Sequence, residues 1–235
     1  MAQIRWTHKG NGNWTTASDW SSGTVPGAAD DVFIGLSGVT VTSDGNVMVN
    51  SIGTNTNATL DIGGMSTFTA TNGTGSSENL GTIKVNGDST LDIGAGTFAD
   101  YGTVILGANG TYNTILIDNV VQLQGGGSIE MAQNLHGVNS IQGNPSKPNQ
   151  LSQLDNVDCN IAGTGFIGNL YFDNQASGIL ETNSNLGPAR SSCSTAASPA
   201  RASRTRGTSS PTTAARSSSA ATPAAKASSI SARST

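Results

Sequence analysis

The sequence predicts an all-β solenoid over residues 1–187, and three observations carry that expectation. Short apolar alternations recur throughout this stretch, each closed by Gly, Asn or Asp. Two segments repeat. Thr59-Leu60-Asp61-Ile62-Gly63 returns as Thr90-Leu91-Asp92-Ile93-Gly94, 31 residues later, and Gly81-Thr82-Ile83 returns as Gly102-Thr103-Val104, 21 residues later. No amphipathic stretch of helical period reaches ten residues. Repeats of roughly 20 to 30 residues mark a solenoid, because one rung cannot bury its own apolar side and needs neighbours above and below.

Taken in order, Trp6, Trp14 and Trp20 precede the first strand signal. The strands then read Val32-Phe33-Ile34, Val39-Thr40-Val41-Thr42, Val47-Met48-Val49, Thr59-Leu60-Asp61-Ile62 and Thr67-Phe68-Thr69. They continue with Ile83-Lys84-Val85, Thr90-Leu91-Asp92-Ile93, Val104-Ile105-Leu106, Ile115-Leu116-Ile117, Val121-Gln122-Leu123, Ser128-Ile129-Glu130-Met131 and Ile179-Leu180-Glu181. Most alternate apolar with polar, so one face is buried and the other wet. Asn and Gly suit the corners, since Gly takes positive φ without steric cost and Asn tolerates it. Corner Asn side chains can also bond along the stack as amide ladders. Residues 144–150 read as a loop. Sandwich and barrel folds also join short strands by tight turns, and Asn72-Gly73, Asn86-Gly87 and Asn109-Gly110 fit hairpins. The internal repeats favour the solenoid. The two spacings disagree: either rung length varies, or the matches sit on different faces.

At Gly187-Pro188 the composition changes. From there on only Cys193, Gly207, Lys226 and Ile230 are not Ser, Ala, Thr, Arg or Pro. The net charge of −4 hides the same split: residues 1–187 hold all fifteen acids against four bases, and the tail holds seven bases. An acidic body does not invite nucleic acid. Residues 188–235 lack the apolar side chains to offset ordering entropy, which predicts a disordered tail. Such a composition fits a Ser/Arg-rich arm for anionic partners. It also fits a reading frame shifted near codon 187, which is the favoured expectation because the rung pattern stops in mid-stride. Cys159 and Cys193 lie on opposite sides of the break and predict no disulfide framework. No apolar run approaches the ~18 residues of a membrane span, and the first residues lack the apolar core of a signal peptide.

The opening residues carry a resemblance. Trp6, Gly12, Asn13, Trp14, Asp19-Trp20, Gly23, Val25-Pro26-Gly27 and Asp30-Asp31-Val32 form a pattern W…G-x-W…W…G-x-V-P…D-D-V. With Leu154 to Asp158, Ile161 to Gly165, Ile167-Gly168 and Asn174 to Ile179, it resembles the β-helix repeat regions of bacterial autotransporter passenger and adhesin-like surface proteins. The resemblance implies a right-handed parallel β-helix, an extracellular or cell-surface location, and an adhesive or structural role without catalysis.

The candidate residues divide between structural and chemical roles. Trp6, Trp14 and Trp20 are placed to cap the N-terminal end of the solenoid, which otherwise exposes apolar faces and strand edges. Their rings also suit sugar stacking, with Trp14 and Trp20 the glycan-binding candidates. Asp30 and Asp31 follow Pro26 in a turn and are expected to cap backbone amides rather than hold a metal. Asp61 and Asp92 occupy matching positions in the repeat, and a carboxylate pair can cleave glycosides. That makes a polysaccharide-degrading β-helix enzyme the alternative function, beside a truncated, non-functional piece of a larger surface protein. His8 and His136 have no partners at zinc-ligand spacing. No calcium nonapeptide, P-loop, nucleophile elbow or dinucleotide motif occurs, so no cofactor is expected. The expected partners are surface glycans or matrix proteins, plus self-association at the last rung around Ile179 and Leu180.

Overall fold

Alternation with a period of two sends every second side chain inward, and these strands coil so that the inward side chains stack. The computed structural model describes residues 3–107, 112–133, 137–147, 152–182 and 194–195. β1 (Ile4–Arg5) and β2 (Gly12–Asn13) make an incomplete first turn. The next turns are β3 (Asp31–Ile34), β4 (Thr40–Ser43) and β5 (Val47–Val49), then β6 (Ser51–Thr54), β7 (Thr59–Ile62) and β8 (Thr67–Ala70). A two-stranded turn of β9 (Thr82–Val85) and β10 (Thr90–Ile93) follows. Then come β11 (Gly96–Ala99), β12 (Thr103–Leu106) and β13 (Thr114–Ile117), and next β14 (Val120–Gln124), β15 (Ser128–Met131) and β16 (Asn139–Gly143). β17 (Gln153–Asn156), β18 (Asn160–Gly163) and β19 (Gly165–Gly168) form the turn after that, and β20 (Tyr171–Asn174), β21 (Ile179–Thr182) and β22 (Ser194–Thr195) the last.

Three sides result. Sheet I stacks β2-β4-β7-β9-β12-β15-β18-β21, and sheet II stacks β5-β8-β10-β13-β16-β19-β22. Sheet III is broken into β1-β3-β6 and β11-β14-β17-β20. Every pairing between these strands is parallel, so the chain is a parallel β-helix. Asn72-Gly73 and Asn86-Gly87 do not turn hairpins: Gly73 and Gly87 have φ of +57° and +61° at corners of the coil; Asn109-Gly110 lies outside the described residues. Sheet III breaks where residues 71–77 run as turns; Asn79 bridges the gap by pairing with Thr54 and Asp100.

The register explains the two repeat spacings. Along sheet I, Val41, Leu60, Ile83, Val104, Ile129, Ile161 and Leu180 stand opposite one another, in steps of 19, 23, 21, 25, 32 and 19 residues. Rung length therefore varies. Thr82 and Thr103 are true neighbours on sheet I. Thr59–Ile62 and Thr90–Ile93 are not, because β7 lies on sheet I and β10 on sheet II. The 31-residue match is one 23-residue turn plus the step to the next side. Asp61 and Asp92 consequently do not form a pair, and the equivalence read from the repeat is corrected.

The inward rows, Val41 to Ile161 on sheet I and Phe68, Leu91, Ile115, Ile141 and Ile167 on sheet II, are almost fully buried. Each such side chain contributes about 1.5–3 kcal/mol on leaving water. Polar ladders line the corners as the Asn content predicts. The Asn113 amide donates to Asn139 Oδ1 at 3.1 Å, Asn156 to Asn174 Oδ1 at 2.7 Å, and Asn79 to Asp100 Oδ1 at 2.7 Å. At the N-terminal end Trp14 and Trp20 meet edge to face at 4.6 Å, Trp6 and Trp20 at 5.0 Å, and Trp14 and Phe68 at 5.0 Å. The Trp20 indole N–H donates to the Trp14 carbonyl at 2.8 Å.

The expected disordered tail lies outside the described residues apart from Ser194–Thr195. That pair forms β22 beside Phe166-Ile167 of β19 in sheet II.

A candidate binding groove on sheet II

With Phe68, Leu91, Ile115, Ile141 and Ile167 turned inward, their neighbours in each strand face out. One outward row is Thr67, Thr90, Thr114, Ser140 and Phe166; the other is Thr69, Asp92, Leu116, Gln142 and Gly168. Over the C-terminal part of these rows lies a groove of about 520 Å³ bounded by Tyr112, Thr114, Val138, Ser140, Gln142 and Phe166. Its rim is apolar: Tyr112 is 62% exposed and Val138 48%. Its base is polar and low. Thr114 and Ser140 are buried, and their hydroxyls lie 3.1 Å apart.

Local structure fixes these positions. Asn113 and Asn139, each just before an outward hydroxyl residue, are fully buried and joined to one another. Asn139 also donates to the carbonyls of Leu106 and Ala132, at 3.0 and 2.7 Å. The Tyr112 N–H is held by Asp88 Oδ1 at 2.7 Å. Phe166 depends on a glycine two residues on. A Cβ at Gly168 would lie 2.1 Å from Phe166 Cζ, so the ring leans along its own strand over Gly168.

Among the described residues no carboxylate lines the groove. At the groove's edge the exposed Asp88 accepts the Tyr112 N–H; two further acids stand on sheet II, Asp92, beside Leu116 in register, and Asp118 at the end of β13. Both are buried. Asp118 is fully engaged: the Asn144 amide donates to its Oδ1 at 2.5 Å and Lys147 Nζ to its Oδ2 at 2.5 Å. The turn at residues 144–147, read as a loop from sequence, thus reaches back onto this carboxylate. Asp92 receives the Thr69 hydroxyl on Oδ2 at 3.3 Å, while its Oδ1 is buried without a hydrogen-bond partner. Burial, with the Asp118 charge second, pushes the Asp92 carboxyl up to about 6. The Lys147 ammonium is held above the ordinary lysine value by its hydrogen bond to Asp118.

A second unsatisfied acid sits inside the corner between sheets III and I. Asp100 is fully buried, accepts from Asn79 and from the Gly102 N–H, and leaves Oδ2 unpartnered. Burial raises it to about 6. Cys159, also fully buried, points its Sγ at the Asp100 carbonyl at 3.7 Å, and burial pushes its thiol up to about 12. It is a packing residue, with none of the thiolate character of a nucleophile.

The residues singled out from sequence fall elsewhere. Trp14 and Trp20 are 1% and 2% exposed, their faces covered by Phe68 and by each other. They form the N-terminal apolar plug and present no face to a sugar, which corrects the glycan-stacking expectation. Asp30 Oδ2 accepts the Gly27 N–H at 2.8 Å and closes the turn as expected. Asp31 accepts from Asn50 and Ser51, both at 2.7 Å, and these bonds hold its carboxyl below the usual range. Asp61 accepts the Asn86 amide on the outer side of sheet I. His8 lies 3.9 Å from Asp19 and edge-on to Trp6; His136 and Cys193 lie outside the described residues. Among the described residues no three His, Cys, Asp or Glu side chains converge as metal ligands, and no helix is long and apolar enough to cross a membrane.

Sequence reasoning missed Tyr112, Val138, Gln142 and Phe166. The signal for Phe166 was present: in Gly165-Phe166-Ile167-Gly168 the inward residue is Ile167, which leaves an aromatic outward between two glycines. Comparison with family models, curated proteins and solved structures found no match.

Proposed function

We propose that the β-helix acts by binding rather than by catalysis, as an adhesin-like extracellular or cell-surface segment whose ligands are surface glycans or matrix proteins. One observation carries this reading. Among the described residues no carboxylate lines the groove beside the exposed Tyr112; Asp118 is buried and held by Asn144 and Lys147, Asp92 is buried and bonded by Thr69, and Asp88 is engaged by the Tyr112 N–H. A hydrolase needs its carboxyl groups at the scissile bond, and Asp118 has both oxygens occupied. The adhesin-like placing draws on the opening tryptophan pattern. Ile179, exposed on β21, supports self-association at that end; sedimentation velocity over a concentration series tests it.

Glycan and matrix-protein arrays probed with the full chain and with Tyr112→Ala test the binding. A signal on wild type that falls in the variant is the expected result. The polysaccharide-degrading alternative draws on the raised Asp92 carboxyl beside Asp118. Reducing ends released from a polysaccharide by wild type, and lost in Asp92→Asn, would overturn the binding reading in its favour.

A further inference from the structure

We infer that the sheet II groove takes an uncharged oligosaccharide, with one sugar ring against Tyr112, another against Phe166, and the hydroxyls and amide of Thr114, Ser140 and Gln142 between them. This rests on the binding reading above and narrows it to one ligand class.

Spacing sets the ligand's length. Thr114, Ser140 and Phe166 are successive register neighbours, so Phe166 lies two strand spacings, about 10 Å, from Thr114. Tyr112 precedes Thr114 by two residues, about 7 Å further along the strand direction if that extended rise is kept. A single ring cannot touch both aromatics, whereas a chain of three or more can. Chemistry sets the ligand's class. Sugars offer apolar C–H faces and hydroxyl edges that both donate and accept. Tyr and Phe supply faces for the first, and Thr, Ser and Gln, each donor and acceptor, match the second. A peptide adding as a strand needs a free backbone edge. β13 and β16 are paired on both sides and offer none. Charge sets the last property. None of the six lining residues is charged, and the fifteen acids against four bases of residues 1–187 repel an acidic glycan.

The phenyl ring is also held in place by a specific local feature. Gly168 leaves open the space that Phe166 Cζ occupies, so a methyl group there displaces the ring while leaving the aromatic residue present.

Isothermal titration of the full chain with cellohexaose, xylohexaose, mannohexaose and laminarihexaose, against hexagalacturonate and a heparin hexasaccharide, tests the inference. At least one neutral hexamer binds, and its dimer binds more weakly. Tyr112→Ala and Phe166→Ala each weaken binding by about tenfold. Gly168→Ala does the same, and Tyr112→Phe retains most of the affinity. Far-UV circular dichroism confirms the fold of each variant; should Gly168→Ala not fold, Tyr112→Ala, on an exposed side chain, still decides. Binding of an acidic hexamer through Tyr112 and Phe166 overturns the neutral-ligand inference and leaves the groove a binding site. Neutral binding indifferent to both aromatic substitutions overturns the groove. If neither the sugars nor the arrays give a signal that depends on these residues, the binding reading fails as well.

Discussion

The N-terminal rungs and the later ones use the same residue types in opposite ways. Between residues 3 and 70 the aromatics are sealed. Three tryptophans pack on one another and on Phe68, and Phe33, which also lies beside a glycine, is covered by the Arg5 guanidinium at 5.2 Å. The carboxylate of Asp31 is likewise satisfied by Asn50 and Ser51. Beyond residue 90, Tyr112 and Tyr171 stand exposed, Phe166 lines an open groove, and Asp92 and Asp100 each bury an oxygen without a partner. Residue type does not decide between burial and exposure in this coil. Position along the stack does, because the first rungs must cover an end and the later ones already have neighbours on both sides.

The largest test removes the seal. Trp14→Ala deletes a fully buried indole between Trp20 and Phe68 and should cost about 3–5 kcal/mol, read as a lowered denaturation midpoint. The equivalent truncation at exposed Tyr112 should leave the midpoint nearly unchanged. Equal losses at both sites would erase the distinction.

The two halves also predict opposite responses to pH. Asp100 titrates near 6 in the fold against 3.8 for the free side chain. A raised carboxyl contributes stability that is fully present below the unfolded value and is lost as pH rises through the folded one. Asp100→Asn should therefore stabilise the protein by about 3 kcal/mol at pH 7.5 and by nothing at pH 4. Asp31 is lowered, so its stabilisation is present above the unfolded value and is lost as pH falls through the folded one. Asp31→Asn should cost about 1 kcal/mol at pH 7 and progressively less below pH 4. Urea titrations of both variants at pH 2.5, 4, 5.5 and 7.5 measure both slopes.

Much of the architecture was legible in the alternation. Each of the twelve strand segments read from sequence overlaps a strand of the coil. β6, β16, β17 and β20 were not read because Ser51-Ile52-Gly53-Thr54, Asn139 to Gly143, Gln153 to Asn156 and Tyr171 to Asn174 carry too few apolar residues to stand out; only stacking reveals them. The repeat also misled, since Thr-Leu-Asp-Ile serves on two sides of the coil. The groove was least legible. It joins Tyr112, Ser140 and Phe166, residues about one rung apart, and the unequal rungs hide which residues face each other until the register is known. The acid cluster was hidden for the same reason: nothing local to Asp118 or Asp92 announces Lys147, which arrives from a loop more than one rung later.

That loop gives the smallest and most discriminating prediction. Lys147 is 43% exposed, so its ion pair with Asp118 is worth only about 1 kcal/mol. Its field also holds the Asp92 carboxyl down against burial and Asp118. In Lys147→Met, Asp118 keeps the Asn144 amide but Asp92 faces an uncompensated charge, so the Asp92 carboxyl rises further. The destabilisation should consequently be larger at pH 8, where Asp92 is ionised, than at pH 5, where it holds its proton. A carbon-13 titration of the aspartate carboxyls would follow the upward shift directly. Oligosaccharide binding should be unchanged, because the groove uses neither acid. A variant that lost binding along with the ion pair would join the closed acid cluster to the open groove and redraw the boundary between them.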